Sequence, residues 1–277
     1  MDIGILGPLT VTHAGRSLVP TAAKPRQVLA LLALHQDQAV SVAALTEELW
    51  EHRPPRSVHT TLQTYVFQLR NLIEEALAAS GRADTSPKEL LATWGGGYLL
   101  ATEGGESDLR DFEQIAAAGH RLMTAGDLAA ASGCYRDALT FWRGDPLADV
   151  QTGPLLEAEA RRLEQTRLEV LGRRIEADLR LGRHHDVLAE LAGLCVQYPL
   201  HEGFQGQHML ALCRTGRRAE ALGAFQRVRA RIRTELGLEP SPSLWRVQRS
   251  ILVDEGAEPE DGPCASNPLA AVLHIAR

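Results

Sequence analysis

Residues 53 to 98 constrain this chain more than any other stretch. A proline turn, Arg53-Pro54-Pro55-Arg56, opens it; a long amphipathic run follows, and Trp94-Gly95-Gly96-Gly97-Tyr98 closes it between two short apolar segments. Turn, amphipathic helix and glycine-tipped hairpin, in that order, are the parts of a winged helix-turn-helix, which lays one helix in the DNA major groove. Beyond Asp108 the periodicity is helical almost throughout. The expected class is mainly α with a small β component: an N-terminal winged helix-turn-helix followed by an α-helical domain resembling tetratricopeptide repeats.

In the long helix the apolar positions are Val58, Leu62, Tyr65 and Val66, Leu69, Ile73 and Leu77, steps of three and four that make one buried stripe. At 100° per residue the opposite face centres on Thr60, Thr64, Phe67 and Asn71, flanked by Gln63 and Gln68, with Thr61 and Arg70 nearer its edges. These groups donate, accept or touch a thymine methyl, as a helix reading base edges requires. The competing reading is a plain solvated face. The absence of Lys/Glu pairs there and an outward Phe67 weigh against it. Glycines at 95 to 97 allow positive φ and close approach to a phosphate; their position directly after this helix favours a wing over a mere tight turn.

Upstream, Ile3, Ile5 and Leu6, then Gly7-Pro8, then Leu9 to Val11 and Leu18-Val19, read as a small antiparallel sheet. A first helix is expected over 25 to 36, opened by Pro25. Ser41 is placed to cap a second helix carrying Leu45, Leu49 and Trp50. The stretch 79 to 89 is expected to be a mobile loop, and Leu90–Thr93 and Tyr98–Leu100 the two strands of the wing.

Charge tempers the nucleic-acid reading. The chain carries a net charge of −6, and residues 1 to 100 hold eight Lys/Arg against nine Asp/Glu. Phosphate neutralisation supplies most non-specific affinity, so binding must rest on local charge. From His52 to Ile73 there is no acidic residue and there are three arginines.

Gly104-Gly105-Glu106-Ser107 marks the expected boundary, giving a DNA-binding domain over 1–103 and a helical domain over 108–253. In the latter, Gly126, Ala131 and Tyr135 share offsets with Gly182, Val187 and Leu191, and with Gly216, Ala221 and Phe225. The second and third sets are about 34 residues apart, the period of a tetratricopeptide repeat. A longer helix, roughly Leu155 to Leu181, interrupts the array. Residues 254–277 lose this periodicity: Asp254 to Asn267 is acidic with Gly and Pro and is expected to be disordered, and Leu269–Ile275 has the makings of at most a short helix.

No nucleotide-binding loop is present, neither GxxxxGK[ST] nor GxGxxG after a strand. His184-His185 sits in an Arg-rich turn without ligand spacing, so no metal is expected. Glu157, Glu159, Glu164 and Glu169 beside Arg161, Arg162 and Arg167 read as helix-surface ion pairs. The four cysteines are scattered and read as buried thiols or bystanders. No apolar run reaches the roughly 18 residues of a membrane span, and the N-terminus lacks signal-peptide features. The expectation is a cytoplasmic protein that is not an enzyme and takes no cofactor.

The head resembles an OmpR-type winged helix, and residues 1 to about 253 resemble the SARP family, the Streptomyces antibiotic regulatory proteins. The strings that carry this are Lys24-Pro25-Arg26-Gln27-Val28-Leu29-Ala30-Leu31-Leu32, Leu49-Trp50 before Arg53-Pro54-Pro55, and Thr60-Thr61-Leu62-Gln63-Thr64-Tyr65-Val66 leading to Gln68-Leu69-Arg70. Gly97-Tyr98-Leu99-Leu100, Leu139-Thr140-Phe141-Trp142-Arg143-Gly144, Leu147-Ala148-Asp149-Val150 and Glu235-Leu236-Gly237-Leu238-Glu239-Pro240 extend it, the last near the end of the family's bacterial transcriptional activation domain.

The resemblance implies a pathway-specific activator of a secondary-metabolite (antibiotic) gene cluster. It implies binding to direct repeats in double-stranded DNA near the −35 region, as a homodimer on DNA, and recruitment of RNA polymerase with its principal sigma factor. The bases would be read by Thr60, Thr61, Gln63, Thr64, Phe67, Gln68 and Asn71. Lys24, Arg26, Arg56, Arg70, Trp94 and Gly96 would contribute further DNA contacts. His52, Arg53 and Arg56 would lie where related proteins approach the polymerase. One departure stands out: OmpR-like wings commonly carry Arg where this chain has Trp94, and an indole does not complement a narrow groove's negative potential. Two alternatives are a DNA-bound regulator sensing a ligand or phosphopeptide, and a repeat-based protein-interaction adaptor.

Overall fold

In the computed structural model, which describes residues 1–51, 53–82 and 84–253, the chain divides into two compact units. The first comprises residues 1–117 and 137–169, the second residues 118–136 and those from 170 onward. The 254–277 segment, expected to be disordered, lies outside the described residues.

Unit one opens with β1 (Asp2–Gly4), β2 (Thr10–His13) and β3 (Arg16–Ser17), an antiparallel sheet in that order with Ile3 opposite Val11. Alternation sends Ile3 and Val11 inward, and both are buried. α1 (Ala23–Leu34) starts two residues before Pro25, which the first turn tolerates because its N–H would have no helical partner. Every residue from Gln27 to Ala33 is buried, so this helix is central rather than amphipathic. β4 (Ala39–Ser41) leads into α2 (Val42–Trp50), where the Ser41 hydroxyl accepts from the Ala44 N–H at 3.1 Å, the expected cap.

α3 (Val58–Ala79) buries Leu62, Val66, Leu69, Ile73, Ala76 and Leu77, the stripe read from the spacing. The 79–89 stretch is not wholly a loop. α4 (Pro87–Leu90) is one helical turn whose Ser86 and Glu89 form a reciprocal capping box, too short to show helical periodicity. β5 (Leu91–Trp94) and β6 (Gly97–Leu100) make the wing, and β4 completes a sheet ordered β4-β6-β5.

The first part of α5 (Asp108–Ala125) and the segment 137–169 also belong to unit one. The Asp108 carboxylate accepts from the N–H groups of Ile5 at 2.9 Å and Leu6 at 3.0 Å and binds the Arg143 guanidinium at 3.0 Å. Asp149 accepts from the Leu9 N–H at 2.7 Å. Trp142 meets Phe112 edge-on at 5.5 Å. The stretch at 104–107 is itself packed: Ile3 N–H donates to the Glu106 carbonyl, and a Cβ on Gly105 would fall 1.9 Å from the Met1 carbonyl oxygen.

Unit two is helical among its described residues. It holds the end of α5, α6 (Leu128–Leu139) up to Arg136, the end of α7 (Pro154–Arg180), α8 (His184–Gln197), α9 (Glu202–Arg214), α10 (Arg218–Leu236) and α11 (Pro242–Val253). The repeat read from the sequence has a physical basis in each of its positions. Gly126, Gly182 and Gly216 sit between paired helices at φ of 84°, 79° and 77°, a conformation that strains any residue with a Cβ. Ala131 and Tyr135, Val187 and Leu191, and Ala221 and Phe225 are all buried where successive helices pack. Met209, Leu212, Phe225, Val228, Leu244 and Val247 form the core under α9, α10 and α11.

Candidate nucleic-acid interface

α3 presents a polar face that the rest of unit one leaves open. His59, Thr60, Gln63, Thr64, Phe67 and Gln68 are exposed, with Thr61, Arg70 and Asn71 half-buried at its margins. Phe67 is 63% exposed and Trp94, at the wing tip, 67%; they are the large hydrophobic side chains that the described part of unit one leaves exposed. A soluble domain otherwise buries such rings, so both mark surface meant for contact. The Thr64 hydroxyl donates to the Thr60 carbonyl at 2.9 Å, and Gln63 and Gln68 are the face's exposed primary amides.

The wing is built by a two-residue turn. Trp94 pairs with Gly97, and Gly95 and Gly96 between them take φ of 55° and 81°, the mirror-image turn that matches strand twist. Gly97 is required for a different reason: a Cβ there would lie 2.1 Å from the Val40 carbonyl oxygen on the paired strand. The Gly96 carbonyl accepts from the Val42 N–H at 3.2 Å, tying the wing tip to the start of α2.

Three of the expected DNA contacts have another role here. Arg70 donates through Nε and Nη2 to the Leu91 carbonyl at 3.0 and 2.8 Å and through Nη2 to the Thr93 hydroxyl at 3.0 Å, bracing the wing against α3. Lys24 Nζ donates to the Leu49 carbonyl at 2.6 Å and to Gln27 at 3.1 Å, locking α1 to α2. Arg26 donates to the Pro20 carbonyl and to the carbonyl and carboxylate of Asp149. All three are half-buried. Each thus braces the reading head through a charge-assisted bond that helical periodicity does not reveal.

Arg53 and Arg56 are exposed before α3; His52, grouped with them as a polymerase contact, lies outside the described residues. Trp50 stacks on Tyr65 at 6.4 Å, so the end of α2 rests on α3 across this loop. His59 joins the exposed face although its helical phase places it toward the stripe, because the first turn of α3 is open on both sides.

Sequence reasoning also missed the buried device under the head. Glu48, 1% exposed, accepts from Gln27 Nε2 at 2.8 Å, Gly153 N–H at 2.5 Å, Leu155 N–H at 2.9 Å and Leu156 N–H at 3.0 Å. It thus caps the first turn of α7, where unpaired N–H groups and the helix dipole favour an anion. The available signal was its phase, since Glu48 follows Leu45 by three residues and adjoins Leu49, on the buried side of α2.

Elsewhere the chemistry is quiet. Among the described residues no group of three His, Cys, Asp or Glu side chains converges as a metal site, and no described helix is long and apolar enough to cross a membrane. Burial pushes the Cys195 thiol up to about 11.

A winged-helix head with an open polar helix face, continued by paired helices of tetratricopeptide type, defines a DNA-binding transcription regulator. Residues 15–100 match the family described as transcriptional regulatory protein, C terminal, and residues 107–252 the bacterial transcriptional activator domain. The chain is 45% identical over its full length to the whole of the regulatory protein DnrI of Streptomyces peucetius. It is 33% identical to the transcriptional regulator RedD of Streptomyces coelicolor, over 92% of this chain and 71% of RedD. Among solved structures, EmbR of Mycobacterium tuberculosis in complex with a low-affinity phosphopeptide superposes with a TM-score of 0.84 at 30% identity, covering 98% of this chain and 68% of that one. The chain belongs to the SARP family of transcription regulators, and its role is regulatory rather than enzymatic.

Proposed function

We propose that this protein activates a secondary-metabolite gene cluster by binding direct repeats near a −35 region as a homodimer on DNA and recruiting RNA polymerase with its principal sigma factor. The observation that carries the DNA-reading step is the open face of α3 over residues 59–71, polar and without acidic groups, bearing an exposed Phe67 with the exposed amides Gln63 and Gln68 on its flanks. In this reading Gln63 and Gln68 hydrogen-bond base edges, Thr60 and Thr64 and the Phe67 ring contact thymine methyls, and Thr61 and Asn71 act at the margins. Arg56 meets phosphate, and the sequence segment of His52, Arg53 and Arg56 is the one that approaches polymerase in this reading. Trp94 packs on sugar and backbone at the wing, and the flat turn at Gly96 lets the chain approach the phosphates. The extended match to DnrI and RedD supports the pathway-specific role.

The test is selection of bound sequences from a random duplex pool at stated, near-physiological salt. Enrichment of a short direct repeat with about one helical turn between half-sites supports the proposal; a pool that stays random after several rounds sinks it.

A further inference from the structure

The wing carries no charge of its own: no residue from Leu90 to Leu100 is acidic or basic. The nearest cation along the chain, Lys88, belongs to α4. The flanking acids are engaged, Glu89 in the capping box with Ser86 and Glu103 with Arg82 at 2.8 Å. What the tip presents instead is Trp94, 67% exposed.

That exposure follows from how the hairpin is built. In an antiparallel ladder an aromatic ring gains from the side chain directly opposite; opposite Trp94 stands Gly97, which has none. A Cβ on Gly95 or Gly96 would meet nothing within 4 Å beyond its chain neighbours, so the turn past the ring is bare as well. Among the described residues no aromatic ring or guanidinium packs on the indole. The mount, by contrast, is fixed. Arg70 holds the Leu91 carbonyl and the Thr93 hydroxyl, the Gly96 carbonyl accepts from the Val42 N–H, and β6 pairs with β4. Successive strand residues face opposite ways, so the Arg70 guanidinium at Thr93 lies on the other face of the hairpin from the indole.

A neutral ring on a fixed mount, braced to the helix that reads DNA, suits one part of a duplex. It releases no counterions, so its contact adds affinity that salt leaves untouched. It gains nothing from the concentrated negative potential of a narrow A-tract groove, which rewards an inserted cation. Apolar side chains do enter minor grooves that admit them, and there an indole covers the apolar faces of the sugars. We propose that Trp94 is a specificity-determining residue: its indole lies between the deoxyribose walls of the minor groove beside the bases facing α3, and it favours a wide groove over a narrow one. This rests on α3 being the helix that enters the major groove.

The test uses the full chain and two fluorescent duplexes of equal length, an A-tract with a narrow minor groove and a mixed-sequence G·C duplex with a wider one; neither needs to contain an operator. Trp94→Ala should lower affinity for the G·C duplex about tenfold, which asks the ring to bury only about 60 Å² of apolar surface there, with an unchanged log–log salt slope. On the A-tract it should cost about twofold or less. Trp94→Arg should steepen the salt slope by about one and move the preference towards the A-tract. Urea midpoints equal to the parent's exclude misfolding as the cause. Trp94→Ala binding both duplexes as the parent does would overturn the proposal alone. Equal losses on the two would remove groove selection, and a changed slope would remove the apolar contact; either overturns it too. A parent that binds neither duplex would sink the DNA reading beneath it.

Discussion

Replacing Glu48 tests the view that a single buried carboxylate holds the DNA-reading head on its support. Its two oxygens serve four donors: Gln27 Nε2 and the N–H groups of Gly153, Leu155 and Leu156. In Glu48→Ala the Leu155 N–H, only partly buried, is recoverable by water, whereas the Gly153 and Leu156 N–H groups and the Gln27 amide are left in the core. At about 1–3 kcal/mol for each unsatisfied buried donor, with loss of the anionic cap included, the expected cost is about 3–5 kcal/mol. Glu48→Gln should recover less than half of this, because its NH2 group must face one of the two donor pairs. Three of the four tryptophans, Trp50, Trp94 and Trp142, lie in unit one, so urea unfolding followed by tryptophan fluorescence reports chiefly on it. For a unit of this size about 2–4 °C is lost per kcal/mol, and a thermal scan should show a fall on the order of 10 °C. If both variants unfold within 1 kcal/mol of the parent, the carboxylate is not a structural anchor and the reasoning fails.

At the interface, Gln63→Ala should cost about 1–3 kcal/mol of operator affinity while leaving random DNA unaffected; equal losses on both by fluorescence anisotropy refute a base contact. Arg56→Ala should weaken specific and random DNA alike and lower the log–log salt slope by about one, and an unchanged slope removes Arg56 from the phosphate contacts. Gly97→Ala forces a Cβ to within 2.1 Å of the Val40 carbonyl and should destabilise the wing by about 1–3 kcal/mol or more, seen as lost DNA binding and a lower unfolding midpoint, whereas Gly81→Ala, at a positive φ in open space, should leave DNA binding intact. Acidification should weaken unit two. Burial holds His184, His201 and His208 below the ordinary imidazole value of 6.5, so the unfolded chain takes up protons first. The stability these residues contribute is complete above pH 6.5 and is lost as pH falls through their folded values. His201 adds a specific element, since its Nδ1 accepts from the Phe204 N–H at 3.2 Å and cannot do so once protonated. Urea midpoints at pH 7.5 and 5.5 read this out, and a midpoint that rises on acidification contradicts it.

What the sequence determined by itself is whatever depends on neighbours close along the chain. Steps of three and four placed Leu62, Val66, Leu69, Ile73 and Leu77 on one side of α3 and, by the same arithmetic, Gln63, Thr64 and Phe67 on the other. Ser41 marked the start of α2, three glycines marked the wing, and the Gly-Ala-aromatic offsets marked the helix pairs. The tertiary structure alone decided which polar groups are free. Arg70, Lys24 and Arg26 have the composition of phosphate contacts, yet each gives donors to carbonyls or, for Arg26, also a carboxylate, between 3 and 123 residues away. Glu48 has the composition of a surface glutamate, yet it caps a helix more than a hundred residues downstream. The pairing of β4 with β6 and the contribution of 137–169 to unit one belong with these. Periodicity records which face of an element avoids water; the partner that satisfies a buried charge comes from a distant part of the chain, and only the folded chain brings the two together.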